Sequence, residues 1–574
     1  MFEKDLLNEK NNSLKFFSKL DELRRKEPTE KISVKNILVN LNREHNIDIY
    51  EIAVSAIEQG YSCFDVHHVL EDSIPVFQCN IESFLRYLET MYVSMEGDLA
   101  QSIQYKPILQ LVEKQPKIAR ELLDEMVLIN KPFCVGCMAT IFQGLSIIDF
   151  EGVYDELIEI VYSKQIHVVQ ASIFALGDLI CNKADQKKAQ DVINIFEDLL
   201  RSESKELYYC ITNVLCKFYD LDNRSIRLVL RLCKIKEDSV SYQVSNFLFH
   251  ELHKIYENDW FEELLLTMSN VNCKYTGIID NIDFILAKLI KNSNKELAKQ
   301  FLHRWALDSD YFTQKMDIKN LFNSTIRQII MDSELFSELI TIYFSENNYQ
   351  FHKITFELIG YAKLCGVSEI EFHSEIIKNM EYDEVVYLST KVLGYVFDVN
   401  TLCSLMYSIL KIHFKDDRIA EEVGELFYEF IGKNYPYSTC EFLKTKVDNT
   451  QKLSALNTIL TNIIKSLEKD NDIQNLKEVK QPSRYRNNIM LEKNREFNKA
   501  MEQTGEESTL INLVSKVTLK YGKGWFQYHN NDFGEISELA KISQSVEMPK
   551  SQISYRVSDE LQRVQFRMAK RRDT

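Results

Sequence analysis

The residues best suited to chemistry are two cysteines separated by two positions, Cys134 and Cys137. Such a CxxC pair can supply half of a tetrahedral zinc site or a dithiol redox centre. A zinc site needs two further ligands at comparable spacing, and the sequence has no second CxxC or Cys-His pair. A redox centre of the thioredoxin kind needs a βαβ frame, whereas the flanking residues have helical periodicity. We therefore interpret the pair as buried structural cysteines.

Two pairs of histidines raise the question of a metal site. His67 and His68 are adjacent, and His250 and His253 flank Glu251. The zinc motif HExxH separates its histidines by four positions, so that both face one metal ion from the same side of a helix. The second pair is separated by three, and no histidine stands at the required position. Both pairs are better interpreted as ordinary helix residues.

Motifs for nucleotides and for nucleophilic catalysis are missing from the sequence. The patterns GxxxxGK[ST], GxGxxG and GxSxG do not occur. Gly522 and Gly524 enclose a lysine but lack the strand and helix that frame a phosphate loop, so they predict a turn. Acidic pairs such as Asp416 and Asp417 are typical of a solvated helix face. We predict no catalytic residue, no cofactor and no metal ligand, and we do not expect an enzyme.

The strongest binding candidates lie near the end of the sequence. Val557, Leu561, Val564 and Met568 form an apolar stripe at helical spacing. Basic residues stand on the opposite side, and they are Arg563, Arg567, Lys570, Arg571 and Arg572. This cationic face could bind nucleic acid, an anionic membrane surface or an acidic protein, or it could dock on the acidic body of its own chain.

Further candidate residues precede this helix, around a glycine turn. They are Lys523, Trp525, Phe526 and Tyr528. Aromatic rings beside a lysine would suit the stacking of nucleic-acid bases, and they would suit a small protein core equally well. The glycine turn between these residues and Tyr521 predicts a β-hairpin.

Composition indicates a helical protein. The 574 residues include only 16 Gly and 8 Pro, and no proline occurs between Pro132 and Pro436. So long a stretch without a helix breaker favours many successive helices over a sandwich or a barrel. The formal charge of −16 is uneven, because residues 481–574 contain 16 Lys and Arg against 12 Asp and Glu. The acidic remainder is not typical of a nucleic-acid binder, whereas the basic end could be.

The cellular compartment is also suggested by the sequence. No apolar run approaches the roughly 18 to 20 residues that a membrane span needs, and the first residues are charged where a signal peptide would be apolar. Twelve cysteines are scattered within apolar helical patterns, which favours free thiols in a reducing compartment. We expect a cytoplasmic protein.

Helical stripes separated by short polar joints recur along the body. Val192, Ile195, Phe196, Leu199 and Leu200 form one stripe. Elsewhere a polar joint at residues 292–294 precedes a capping-box pattern made by Ser293 and Glu296, which predicts a helix start. Helices of 12 to 20 residues with such joints pack antiparallel to their neighbours, and repetition of that arrangement gives a stack.

A short motif supports the repeat interpretation. Segment 167–179 ends in a Leu-Gly pair at Gly177, and Gly360 and Gly394 share its form, each with a hydroxyl residue five places earlier. The segment resembles the second helix of a HEAT repeat, and loosely the resemblance covers residues 30–470. The proline and the Asp/Arg pair of good HEAT units are mostly missing. The resemblance therefore implies degenerate HEAT-like or armadillo-like repeats.

Together these patterns predict an all-α fold, a HEAT-like helical-hairpin solenoid with a small C-terminal α+β cap. Residues 1–470 would form the acidic solenoid, 471–487 a linker, and 488–574 a small basic domain with a β-hairpin and a terminal amphipathic helix. The expected function is a non-enzymatic scaffold or adaptor whose groove binds a basic or amphipathic segment of another protein. The alternative is a nucleic-acid-binding accessory protein that acts through the basic C-terminal domain.

Overall fold

The computed structural model describes residues 2–30, 33–95, 99–201, 204–308, 316–367, 369–447, 454–475, 483–506, 519–521, 524–529, 532–538, 547, 549–551 and 557–571. The chain divides into two compact units. Unit 1 is Met1–Met316 and unit 2 is Asp317–Thr574. Each unit is described separately below.

Unit 1 is built of α-helices joined by short turns, four of which contain a 3₁₀ segment. The helices are α1 (Phe2–Glu9), α2 (Ser13–Glu30), α3 (Val34–Arg43), α4 (Ile49–Glu58), α5 (Cys63–Leu70), α6 (Ile81–Ser94), α7 (Tyr105–Lys114), α8 (Pro116–Ile129), α9 (Cys134–Ile148), α10 (Phe150–Ile160), α11 (Ile166–Lys183), α12 (Gln186–Arg201), α13 (Tyr208–Lys217), α14 (Arg224–Cys233), α15 (Asp238–Ile255), α16 (Asp259–Thr267), α17 (Thr276–Lys291) and α18 (Lys295–Asp308).

Side-chain caps fix where several of these helices begin. The Asp48 carboxylate accepts hydrogen bonds from the first amides of α4, and the Ser62 hydroxyl accepts one from an amide of α5. Asn80 and Asp149 cap α6 and α10 in the same way. Each cap satisfies an amide that has no partner within its own helix, which stabilises the helix start by about 0.5–2 kcal/mol.

The helices of unit 1 stack in contiguous contact. Along one side, α7, α9, α11, α13, α15 and α17 each pack on the next, while α10, α14 and α18 pack on their neighbours in sequence. Apolar side chains fill the space between the helices, and Phe142, Phe196 and Phe218 are among those that are fully buried. Unit 1 is therefore an all-helical stack consistent with a helical repeat solenoid.

Ser293 ends a helix rather than starting one, which corrects the capping-box prediction. Its φ angle of 69° lies in the left-handed region. Its amide donates to the carbonyl of Ile290, and the next amide donates to that of Leu289. These bonds satisfy carbonyls at the end of α17, as a left-handed residue at a helix C-terminus usually does. The following helix, α18, begins two residues later.

The three glycines of the predicted repeat motif have different surroundings. A Cβ atom on Gly177 in α11 would lie 2.6 Å from Cγ2 of Val214 in α13, so this glycine allows two helices to approach closely. A Cβ on Gly394 would lie 3.0 Å from the side chain of Arg567, whereas one on the exposed Gly360 would meet nothing within 4 Å. Only two of the three positions therefore need glycine for packing.

Alanine at these positions should have opposite effects. Gly360→Ala is expected to raise the free energy of unfolding of unit 2 by about 0.5–1 kcal/mol, because alanine is the better helix former and has space. Gly177→Ala is expected to lower that of unit 1 by about 1–3 kcal/mol, because the added methyl overpacks the core. Urea unfolding followed by circular dichroism measures both. Equal stabilisation by the two substitutions would contradict the close approach of α11 and α13.

Unit 2 is also built mainly of helices. They are α19 (Ile318–Leu321), α20 (Asn323–Met331), α21 (Ser333–Ser345), α22 (Tyr349–Leu364), α23 (Ser374–Lys378), α24 (Tyr382–Tyr395), α25 (Val399–Ile412), α26 (Asp417–Leu426), α27 (Pro436–Val447), α28 (Ser454–Asn475), α29 (Ser483–Glu506) and α30 (Ser558–Met568). A π-helical segment, Phe427–Gly432, continues α26.

The predicted small C-terminal α+β cap is wrong, and the fold is all-α overall. Three short strands, β1 (Leu519–Tyr521), β2 (Gly524–His529) and β3 (Asp532–Glu538), pair antiparallel in the order β1-β2-β3. The terminal helix predicted to complete the cap, α30, packs instead along α24. Arg563 and Arg567 of α30 donate hydrogen bonds to carbonyl groups at the end of α24 that have no partner within that helix. These hydrogen bonds determine where α30 docks.

Candidate protein-binding surfaces

The CxxC cysteines lie in the core of unit 1. Cys134 and Cys137 both stand in α9 and are fully buried. Burial raises the pKa of the Cys134 thiol to about 11 and that of Cys137 further, so neither is poised as a thiolate at neutral pH. Within the described ranges, no group of three or more His, Cys, Asp or Glu side chains is arranged to hold a metal ion.

The histidine pairs separate into buried and exposed residues. His67 is buried, with Nδ1 3.0 Å from the Tyr87 hydroxyl and Nε2 donating to the carbonyl of Ile103 at 3.2 Å. His250 and His253 are exposed on α15. His67 thus has a structural role, in which both ring nitrogens are satisfied inside the core.

The predicted aromatic candidates and the basic candidates lie on different elements. Trp525, Phe526 and Tyr528 belong to β2, where Trp525 pairs with Ser537 and Tyr528 with Phe533. Lys523 and Arg572 lie outside the described residues. The remaining basic candidates stand on or just after α30, and their surroundings decide what that helix can do.

Arg563 is fully buried between α30 and the rest of unit 2. Its Nε donates to the Asp559 carboxylate at 2.8 Å. Its Nη1 donates to the carbonyls of Leu393 at 3.0 Å and Val396 at 2.6 Å, and Nη2 donates to the Tyr435 hydroxyl at 3.3 Å. All three guanidinium nitrogens therefore have partners, which offsets the cost of removing the charge from water.

Aromatic rings complete the environment of this guanidinium. Its central carbon lies 4.6 Å from the ring centroid of Phe397 and 5.3 Å from that of Phe430. The negative face of an aromatic ring attracts a cation, and the attraction grows where water is excluded. Arg563 is accordingly both hydrogen-bonded and ring-stacked, which makes it the anchor of α30.

Cations and helix ends are paired reciprocally between α24 and α30. Arg567 Nε donates to the carbonyl of Gly394 at the end of α24, at 2.8 Å. Lys391 of α24 donates to carbonyls at the end of α30, those of Arg567 at 2.8 Å and Ala569 at 2.5 Å. Burial lowers the pKa of the Lys391 amine to about 8. The C-terminal end of each helix, which carries partial negative charge, thus accepts hydrogen bonds from a cationic side chain of the other helix.

The apolar stripe of α30 faces away from the rest of unit 2, whereas the apolar face of an amphipathic helix is usually buried. Val557, Leu561, Val564 and Met568 are 46%, 55%, 37% and 75% exposed. Beyond the helix, Arg571 forms an ion pair with Glu384, while Lys570 is exposed. Arg563, Arg567 and Arg571 are therefore engaged within the chain, whereas Lys570 forms no ion pair with any described residue.

A second candidate surface lies in unit 1, along the exposed side of α11, α13, α15 and α17. Phe174 of α11 contacts Tyr209 of α13 edge to face, with ring centroids 5.7 Å apart. Phe249 of α15 contacts Phe284 of α17 with centroids 4.8 Å apart. Tyr209 is 39% exposed and Phe284 44%, so large rings remain available to a partner.

Side-chain amides accompany these rings. Nδ2 of Asn213 donates to Oε1 of Gln243 at 2.7 Å, and Nδ2 of Asn281 donates to Oδ1 of Asn246 at 2.7 Å. Oδ1 of Asn213 is buried and has no hydrogen-bond donor among the residues that the structure describes. The surface therefore combines exposed rings with amides that are hydrogen-bonded to one another between α13, α15 and α17. We call it the aromatic-amide row, made of Phe174, Tyr209, Asn213, Gln243, Asn246, Phe249, Asn281 and Phe284.

The sequence contained a signal for this row that periodicity alone did not detect. Asn213, Asn246 and Asn281 recur at spacings of 33 and 35 residues, and a tyrosine stands four residues before each of the first two. Residues four apart share a helix face, so this recurrence places equivalent side chains on the alternate helices α13, α15 and α17.

Comparison with known proteins gives no assignment: the sequence matches no protein-family model and no curated protein. In the described part of the chain, no helix has the length and apolar character needed to span a membrane.

Proposed function

We propose that the protein is a non-enzymatic scaffold and that its aromatic-amide row binds an extended or amphipathic segment of another protein. The row itself is the observation that carries the proposal. Exposed aromatic rings supply most of the binding energy in many protein interfaces. Rings on four alternate helices, α11, α13, α15 and α17, suit a partner that extends along the stack.

The finer classification of the repeats belongs to the same proposal. We infer that they are degenerate HEAT-like or armadillo-like units. The close approach of α11 and α13 at Gly177 supports this inference, because the Leu-Gly pair packs where the motif requires a small residue. All twelve cysteines are free, which supports a reducing compartment such as the cytoplasm.

The nucleic-acid alternative has less support. Arg563 and Arg567 donate to carbonyls at the end of α24, and Arg571 pairs with Glu384. Phosphate binding would have to displace these internal contacts, which would reduce the affinity that such side chains can provide. No specific contact in the described residues favours this alternative over protein binding.

Truncating the row is expected to weaken partner binding. Tyr209→Ala combined with Phe284→Ala removes two exposed rings and should weaken capture of the partner about tenfold or more, because aromatic anchors dominate interface energies. The measurement is affinity purification at moderate salt with the full-length chain, followed by quantification of the proteins retained.

A matched control is available in the same unit. Val93 on α6 and Leu128 on α8 are 63% and 73% exposed and lie outside the row. Val93→Ala combined with Leu128→Ala should retain the partner, and circular dichroism establishes that both variants fold. If the parent chain retains no partner, or if the row and control variants retain it equally, the proposal is wrong.

A further inference from the structure

Unit 2 contains an open groove with an apolar floor and an acidic rim. Its volume is about 450 Å³, and it lies along α26, the π-helical segment and α28. Leu410, Ala420, Gly424 and Ile459 line its floor. Phe414, at one end of the groove, is 39% exposed. An apolar floor of this kind suits a side chain of a docked helix.

The rim consists of carboxylates spaced four residues apart. Asp417, Glu421, Glu425 and Glu429 all line the groove. Glu429 pairs with Lys433 at 2.5 Å, but no ion pair joins the other three to any residue that the structure describes. Four residues advance a helix by about 6 Å, so the unpaired carboxylates repeat at that interval.

The complementary pattern occurs on α29. Arg484, Leu491, Arg495 and Lys499 are exposed and lie seven, four and four residues apart, which places them on one side of the helix. Leu491 is 58% exposed, and no ion pair joins the three cations to a described residue. The stripe thus presents two cations about 6 Å apart beside a single large apolar side chain.

We propose that α29 of a second copy of this chain docks in the acidic groove. Arg495 and Lys499 would face Glu421 and Glu425 at matching intervals, and Leu491 would enter the apolar floor. The groove is lined entirely by residues before 463, so α29 of the same chain leaves it open. The proposal concerns a different surface from the aromatic-amide row and does not depend on it.

Charge exchange tests the proposal in the full-length protein. Sedimentation velocity at low ionic strength should show concentration-dependent self-association of the parent chain. Glu421→Lys with Glu425→Lys should weaken it about tenfold or more, and so should Arg495→Glu with Lys499→Glu, because like charges would then face each other. The four substitutions together should restore association, since the ion pairs are re-formed with reversed polarity.

The control keeps the net charge change but moves it away from the groove. Glu441 on α27 and Glu468 on α28 are exposed and do not line the groove. Glu441→Lys with Glu468→Lys should associate like the parent chain. A parent that stays monomeric at its highest soluble concentration overturns the proposal, as does a four-fold variant that fails to recover association. Circular dichroism and thermal unfolding establish that every variant folds.

Discussion

Arg563→Met is expected to detach α30 from unit 2. The substitution removes the partner of Asp559, which is 4% exposed, and leaves the carbonyls of Leu393 and Val396 without their donor. Breaking a buried ion pair from one side typically costs about 3–5 kcal/mol. Undocking returns the carboxylate to water, so the helix should separate rather than remain docked with an unpaired charge. Hydrogen exchange of residues 558–568 measures the effect directly.

Two further variants make this result specific. Gln565, exposed on the same helix, provides the control, and Gln565→Met should leave exchange unchanged. Asp559→Asn added to Arg563→Met should recover part of the protection, because the uncompensated charge is then gone. Unchanged protection of α30 in Arg563→Met would mean that the guanidinium does not anchor the helix.

Acid is expected to destabilise both units through one buried histidine in each. Burial lowers the pKa of His67 in unit 1 and His352 in unit 2 to about 4, from an ordinary 6.5. Between these values the unfolded chain binds a proton that the folded chain does not. The contribution of each neutral histidine to the free energy of unfolding is therefore fully present above pH 6.5. It is lost as the pH drops toward 4, by about 3 kcal/mol for each histidine.

Glutamine substitutions test this assignment. His67 donates from Nε2 to the carbonyl of Ile103, and His352 donates from Nε2 to that of Glu346 at 2.7 Å. A glutamine amide can supply such a donor without titrating. His67→Gln and His352→Gln should each flatten the dependence of unfolding free energy on pH between 6.5 and 4, measured by urea unfolding. A slope identical to that of the parent would show that other groups cause the acid sensitivity.

Local helical patterns were predictable from the sequence, although their exact phase was not. The stripe of Val192, Phe196 and Leu200 is buried in α12, as expected, but Ile193 is buried where Ile195 was predicted. Apolar periodicity indicates that one face of a helix is buried. The residues on which that face is centred depend on the helices packed against it. The same limit applies to Ser293, whose sequence context suits a helix start and whose backbone ends the preceding helix.

Docking of the cationic face of α30 on its own chain was one of the alternatives predicted from the sequence, but its position on α24 could not be predicted, because the decisive groups are backbone atoms. An apolar stripe usually marks the buried face of a helix, whereas the stripe through Leu561 and Val564 is exposed in the structure. The carbonyls of Leu393, Gly394 and Val396 carry no signature in the sequence, and they exist as free acceptors only because α24 ends there. The aromatic-amide row was missed for a related reason, since it depends on the register between helices.

The pairing of α24 with α30 has a consequence for the order of folding during synthesis. Hairpins of unit 1 make contacts over short distances in sequence, as between Asn213 and Gln243, which are 30 residues apart. Each can therefore pack soon after it is made. Arg563 and its acceptor Leu393 are 170 residues apart. The carbonyl groups at the end of α24 therefore lack their arginine donors until almost all of unit 2 has been translated. During that interval Phe397 and Phe430 lack their covering helix, and nascent chains would be most prone to misassociation there.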